Sequence, residues 1–273
     1  MKTAVKKKKI PAAVGNVLYP VAALGVVLAV WAVVSAAKDL PLLVPGLDEI
    51  FTELGRVLSR GETWRAIGLT AGRVAGSFAL SFLFAAVLAA LGTVFKPLHR
   101  FLSPIVTVLQ AAPTMAVILV VAVWLERGEV PLLIGFLICF PLLYNAMHTA
   151  IAGVDAELLQ MAEVYRIRPS DRLTGIYLPS VLPAVFDGGR SAVSLCVKVV
   201  IAAEVLAQTA GSIGIEMQRA SVVYEMARLM AWTVIAIVMS FAFEGVAVAL
   251  KKLWERRREL CRLIRKTRAK DAA

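Results

Sequence analysis

The sequence predicts an all-α integral membrane protein with about six transmembrane helices and both termini on the cytoplasmic side. Three observations carry that reading. The 273 residues are 59% hydrophobic, with a mean hydropathy of +0.78, more apolar than a soluble domain of this length. A soluble fold would have to enclose a core too large for the chain. The apolar residues fall into runs near the ~20 residues that a helix needs to cross a bilayer. The net charge of +11 is concentrated at the two ends.

The elements follow in order. Residues 1–16 form a basic segment with Lys2, Lys6, Lys7, Lys8 and Lys9. The first span is residues 17–37. Its lysines and the small residues Ser35 to Ala37 also fit a signal peptide, but the apolar run is longer than such a segment uses. Residues 47–59 alternate acidic, basic and apolar positions and are expected as a short surface helix outside. Further spans are expected at 69–95, 104–125, 131–152, 188–208 and 226–250. Residues 254–273 form a second basic segment, including Arg256, Arg257, Arg258, Arg262 and Arg265. Basic flanks mark the cytoplasmic side, so six spans bring both ends there. The same clusters could bind nucleic acid on a soluble protein. Beside apolar spans they orient the chain in the lipid bilayer and can touch anionic headgroups, so no nucleic-acid partner is expected. Residues 17–253 read as one membrane domain.

Between the fourth and fifth spans lies QMAEVYRIRPSDRLTGIYLP, Gln160 to Pro179, within a cytoplasmic loop of residues 154–180. Asp155 is a candidate N-cap, and Glu157 adds negative charge to a first helical turn. Leu158, Leu159, Ala162 and Tyr165 recur at helical spacing on one face. Pro169 is expected to stop that helix, Ser170 or Asp171 to cap a short second one, and Leu178-Pro179 to end it. The loop is longer than the ~2–8 residues that join packed helices, which favours an ordered segment offering an apolar stripe to a partner.

The chain carries no GxxxxGK[ST], GxSxG, HExxH or CxxC motif. The three cysteines, Cys139, Cys196 and Cys261, and the two histidines, His99 and His148, suggest neither a disulfide framework nor a metal site. Hydrolytic chemistry and a metal are therefore not expected.

The loop resembles the cytoplasmic loop of permease subunits of ATP-binding-cassette importers, patterned Glu-Ala-Ala, three residues, Gly, nine residues, Ile, one residue, Leu-Pro. Gln160, Met161 and Ala162 stand in the first three places, Arg166 in the glycine place, and Ile176, Leu178 and Pro179 in the last. Further stretches from Leu40 to Leu253 resemble the sulfonate, taurine and nitrate branch of that family. They are PLLVPGLDEIFTEL, LTAGRVAGSF with Arg73, KPLHRFLSP, LQAAPTMAVI with Pro113, CFPLLYNAMHTAIAGV with Pro141 and Asn145, AAEVL with Glu204, and GSIGIEMQRA.

The resemblance implies that residues 155–168 couple to an ATPase, through Glu157, Leu158, Gln160, Met161, Ala162, Glu163, Tyr165, Arg166 and Arg168. It implies a pair of ATP-binding-cassette subunits that hold ATP and Mg, with no cofactor in this chain. It implies a second permease copy as a homodimer, a periplasmic or lipid-anchored solute-binding protein, and a place in the plasma (inner) membrane. Glycine at position 166 would allow a positive φ, so arginine there is expected to change the turn or to offer a salt bridge.

Lys198, Glu204, Asn145 and Gln110 are candidate pathway residues, because polar groups inside spans face the bundle interior or a watery cavity. The other reading for Lys198 and Glu204 is an ion pair across spans, and for Asn145, Gln110 and His148 a hydrogen bond between helices. Lys198 and Glu204 are six apart and are not expected to pair with each other. Gly72, Gly76, Ala89 and Gly92 are expected at close helix contacts. The solute expected from the resemblance is a sulfonate, taurine or nitrate, with a thiamine-precursor pyrimidine as the alternative. A membrane enzyme would need clustered acids, histidines or nucleophiles, and a secondary transporter inverted repeats with broken spans.

Overall fold

The computed structural model describes residues 12–38 and 44–271. The lysine cluster Lys2 to Lys9, residues 39–43 and the side chains beyond Arg258 lie outside the described residues. Among the described residues all regular structure is helical. The helices are α1 (Ala12–Lys38), α2 (Leu47–Leu58), α3 (Gly61–Val94), α4 (Lys96–Ala111), α5 (Thr114–Trp124), α6 (Val130–Ala152), α7 (Ala156–Val164), α8 (Pro169–Arg172), α9 (Leu178–Leu206), α10 (Ile213–Val222) and α11 (Met226–Asp271). A π-helical turn, Leu173–Tyr177, joins α8 to α9.

Length and apolar composition mark α3, α6 and Met226–Arg258 of α11 as able to cross a membrane, with α4 and α5 together as one bent span. The expected spans at 17–37 and 188–208 fall within α1 and α9 or its end. α9 carries Asp187, Arg190, Lys198 and Glu204, and α1 has a shorter apolar stretch.

The third expected span is corrected. Residues 104–125 do not form one straight helix: α4 and α5 meet at an angle of 100°. Pro113 has no N–H to continue the ladder, and it drives Ala112 into an extended conformation, φ −66° and ψ 132°.

The amphipathic α2 forms where its pattern predicts. Asp48 and Glu49 occupy its first turn, and the Gly46 N–H donates to Glu49 Oε2 at 3.3 Å. Ile50 and Val57 are buried, and the helix packs on α3 and α11.

The centre of the bundle is α3, α6 and α9. Its close approach rests on small and hydroxylated residues. Ser77 Oγ donates to the Leu132 carbonyl at 2.9 Å, and Ser81 Oγ to that of Phe136 at 3.1 Å. A methyl group at Gly135 would lie 2.6 Å from Ser77 Oγ and 2.8 Å from Val200 Cγ2, so only glycine fits there. Of the small residues expected at contacts, Ala89 is fully buried and Gly92 lies against Tyr144 and His99. Gly76 faces Leu132, whereas Gly72 has open space beside it and meets no neighbour among the described residues. Cys139 and Cys196 are both buried thiols, and their Sγ atoms approach the Ala192 and Val74 carbonyls.

Candidate functional site

Two sites stand out, the loop between α6 and α9 and a buried carboxylate at the other end of α9. In the loop, Asp155 caps α7 as its sequence predicts: Oδ1 accepts from the Glu157 N–H at 2.9 Å. The helix ends at Tyr165, and Arg166 takes φ +49°. The Arg166 N–H donates to the Glu163 carbonyl and the Ile167 N–H to the Ala162 carbonyl, both at 3.0 Å. That pair of bonds is a Schellman cap, the ending that glycine favours at this place. The expectation of a changed turn is therefore corrected: arginine adopts the glycine geometry and bears its strain. Among the described residues Arg166 makes no salt bridge within the chain.

Arg172 holds this cap in place, a role the sequence did not single out. Its Nε donates to the Ile167 carbonyl at 2.9 Å and its Nη2 to the Ala162 carbonyl at 3.1 Å. One guanidinium thus ties the end of α7 to α8. The signal was a lone arginine after the proline turn, indistinguishable by itself from a solvated basic residue.

The apolar stripe divides. Ala162 is fully buried within the loop, where Arg172 and Ile167 meet its carbonyl, and Leu159 is half-buried. Leu158 (40% exposed), Met161 (47%), Val164 (80%) and Tyr165 (74%) face away. Glu157, Gln160, Glu163, Arg166 and Arg168 are also exposed. α7 therefore presents an outer surface in which apolar and charged side chains alternate, on a helix capped at both ends.

The end of the loop motif is corrected. Two short helices form as expected, but Pro169 does not stop the first, which ends at Tyr165; it sits at the first position of α8, where a missing N–H costs nothing, and Arg168 rather than Ser170 or Asp171 holds the N-cap position. The π turn carries Ile176, and Leu178 and Pro179 open α9 rather than closing a helix. Pro183 supplies no N–H to the carbonyl of Pro179. Arg258 Nη1 fills the gap, donating to that carbonyl at 3.1 Å. Its guanidinium lies over the Trp254 ring at 5.3 Å, and Trp254 packs on Phe186. The long α11 is thereby pinned to the loop motif.

At the other end of α9, Glu204 is fully buried. Its carboxylate accepts from Thr70 Oγ1 at 2.9 and 3.0 Å, from Arg73 Nη1 at 2.9 Å, and from the Gly214 N–H at 3.2 Å. Thr70 Oγ1 in turn accepts from the Ile213 N–H at 3.1 Å. The first amides of α10, which have no partner inside the helix, are thus satisfied by α3 and α9. A negative charge at a helix N-terminus is favourable. Gly214 is required here, because a Cβ would lie 2.8 Å from the Ile201 carbonyl oxygen and the Val205 nitrogen. Glu204 does not line an open surface; it binds three segments of the chain together.

The remaining candidates separate. Lys198 is exposed in a groove of about 530 Å³ with Asp187, Arg190, Ser191, Ser194 and Glu244. Arg190 pairs with Glu244 at 3.3 Å and Lys251 with Asp187 at 2.6 Å, and Lys198 makes no ion pair among the described residues. Asn145 and Gln110 are exposed on α6 and α4 and do not line this groove. The two histidines stack, with ring centroids 3.8 Å apart, and the Tyr144 hydroxyl meets His99 Nδ1 at 3.0 Å. His148 thus packs between helices as its sequence context suggests, while its partner on α4, His99, was not singled out.

The fold is an all-helical bundle with a bent apolar helix pair, α4 and α5, and a capped helix, α7, outside the spans. The chain belongs to the family described as binding-protein-dependent transport system inner membrane component, matched over residues 81–259, more than half its length. It is a multi-pass inner-membrane permease subunit of an ATP-binding-cassette importer, with ATP hydrolysis and solute capture supplied by separate proteins.

A protein of Bacillus subtilis (strain 168), by name an aliphatic sulfonates transport permease protein, SsuC, is 25% identical over 189 residues, 68% of each chain. Its namesake in Escherichia coli (strain K12) is 23% identical over 188 residues, 68% of this chain and 71% of that one. The riboflavin transport system permease protein RibX of Chloroflexus aurantiacus is 29% identical over 116 residues, 42% of this chain and 43% of that one. Among solved structures, a chain of the inward-facing MetNI methionine ABC transporter superposes with a TM-score of 0.53 at 16% identity, covering 68% of this chain and 94% of that chain. That likeness supports the fold.

Proposed function

We propose that this permease carries a small organic anion of the aliphatic sulfonate class, and that α7 is the element through which an ATPase subunit drives it. The observation that supports the coupling role is the outward face of α7. Leu158, Met161, Val164 and Tyr165 are exposed on a helix fixed by the Asp155 cap, the Schellman ending and Arg172. An apolar helix face seated in a groove is a standard mode of recognition. Rigidity matters because only a stiff element passes a push from the ATPase to α6 and α9 as a rigid-body switch. Glu157, Gln160, Glu163, Arg166 and Arg168 form the polar rim of the same surface, and the partner holds the ATP and Mg.

In this reading a second, identical copy closes the exposed faces of the bundle into a pathway. The Lys198 groove then becomes part of its wall, where an unpaired ammonium favours an anion. Asn145 and Gln110 supply neutral hydrogen-bonding positions on other helices. Loop 154–180 and both basic ends lie on the cytoplasmic side. The sulfonate assignment is supported by similarity to the two SsuC proteins, and taurine and nitrate share the anionic chemistry. A second reading, a heteroaromatic solute, is favoured by the similarity to RibX.

The test is uptake into proteoliposomes holding the permease, its ATPase and its binding protein. Labelled ethanesulfonate is offered against unlabelled taurine, nitrate and riboflavin. ATP-dependent uptake competed by taurine supports the sulfonate reading. Uptake of riboflavin with none of ethanesulfonate replaces it with the second.

A further inference from the structure

A push received by α7 has one weak point to pass before it reaches the spans. The chain runs from α7 through α8 and the π turn into α9, and Pro183 stands in the second turn of α9. Proline inside a helix removes one bond of the ladder and sets its ring against the carbonyl four residues back, so helices bend most easily there. That carbonyl belongs to Pro179, in the loop motif itself. A force entering at Ile176 to Pro179 would bend α9 at Pro183 instead of moving it, unless something bridges the break.

α11 holds α9 on both sides of the break. Beyond it, Trp254 packs on Phe186 with ring centroids 5.9 Å apart, Lys251 pairs with Asp187 at 2.6 Å and Arg190 with Glu244 at 3.3 Å. Farther along, Val197, Val200 and Ile201 share a core with Trp232, Ile235 and Met239. Before the break, Arg258 Nη1 donates to the Pro179 carbonyl at 3.1 Å. Among the described residues this is the one hydrogen bond from α11 to residues 156–182. Val181 also packs on the α6 side of the bundle, but apolar packing has no direction. The bond from Arg258 is directional and fixes where the first turn of α9 sits. The guanidinium is steadied by the Trp254 ring at 5.3 Å, within reach of a cation–π contact. Pro179, Arg258, Trp254 and Phe186 thus close a chain of contacts across Pro183.

We propose that Arg258 is a positioning residue for coupling: with Trp254 it splints the Pro183 break, so that α9 and α11 move as one body when the loop is pushed. This role rests on the reading of α7 as the ATPase-driven element, whereas the splint itself is measurable on the permease alone.

Two measurements test it. The first is hydrogen exchange of the amides of residues 180–187 in the permease alone, in nanodiscs. The second is solute taken up per ATP hydrolysed in the proteoliposomes described above, with labelled ethanesulfonate or riboflavin, whichever the wild type carries. Arg258→Met keeps an apolar stem beside Trp254 and removes the donor. It should speed exchange about tenfold, leave the ratio of co-purified ATPase unchanged, and lower uptake per ATP about threefold. Pro183→Ala returns the N–H that the Pro179 carbonyl lacks, and that carbonyl has lone pairs for two donors. In Arg258→Met/Pro183→Ala both exchange and uptake per ATP should therefore return to wild-type values. Arg256→Gln, which removes the same charge from an exposed position on α11, should change neither. Unchanged exchange in Arg258→Met, or a fall in uptake per ATP that persists in the double variant after exchange has recovered, overturns the role. A wild type that holds no ATPase or carries neither solute overturns the function reading instead, and the exchange result then decides the splint alone.

Discussion

Replacing Arg73 with methionine should destabilise the bundle far more than replacing Glu204 with glutamine, although both break the same 2.9 Å ion pair. The asymmetry follows from burial. The Glu204 side chain is 0% exposed and that of Arg73 is 15% exposed. Removing the arginine strands a carboxylate that cannot reach water, and breaking a buried pair in this way costs about 3–5 kcal/mol. Thr70 and the Gly214 N–H remain as donors, which places Arg73→Met at the lower end, about 3 kcal/mol.

Glu204→Gln keeps acceptors for Thr70 and Gly214 and strands only a guanidinium at the edge of the site, which can turn toward water. That change should cost about 1 kcal/mol. The double variant, with no stranded charge, should recover at least half of the arginine loss. For a chain of this size each kcal/mol moves the melting temperature by about 2–4 °C. The single arginine variant should therefore melt about 6–12 °C low. The assay is thermal unfolding in nanodiscs followed by tryptophan fluorescence. Equal losses for the two single variants, or a double variant no better than Arg73→Met, would refute the reasoning.

Three further outcomes are expected. Arg166→Gly should relieve about 1 kcal/mol of left-handed strain and slow exchange of the Ile167 amide, whereas Arg166→Val should speed it. Arg172→Leu removes both guanidinium bonds to the Ala162 and Ile167 carbonyls, at about 1.5–3 kcal/mol for bonds to a charged donor; protease should cut the loop faster while the bundle melts as before. Gly214→Ala should cost about 1–3 kcal/mol through overpacking against the α9 backbone, and Gly72→Ala should be neutral or stabilising in the same melting assay, since a methyl group there meets open space.

What could be read from the sequence was what local signals encode. The bounds of α2 and the Asp155 cap were legible because caps, first-turn acids and helical spacing act within a few residues. The bend between α4 and α5 was not, since an apolar run reports total burial and says nothing of direction; Pro113 held the information. Leu178-Pro179 was misread as a stop because a proline tolerated in a first helical turn looks the same as one that ends a helix. Arg166 misled in the same way, for its strain is offset by two cap bonds and by Arg172, none of them visible in a lone residue. The environment of Glu204 was beyond reach, because Thr70 and Arg73 lie 134 and 131 residues away.

The central claim is that the outer face of α7 seats an ATPase subunit. The most direct measurement is co-purification of the ATPase with the tagged permease, wild type against Met161→Asp/Tyr165→Asp, with melting temperature recorded for both. The account predicts a stable complex for the wild type, loss of the ATPase from the variant, and melting temperatures within about 2 °C, since both side chains are exposed. An ATPase retained by the variant at the wild-type ratio, or absent from the wild type, would contradict it.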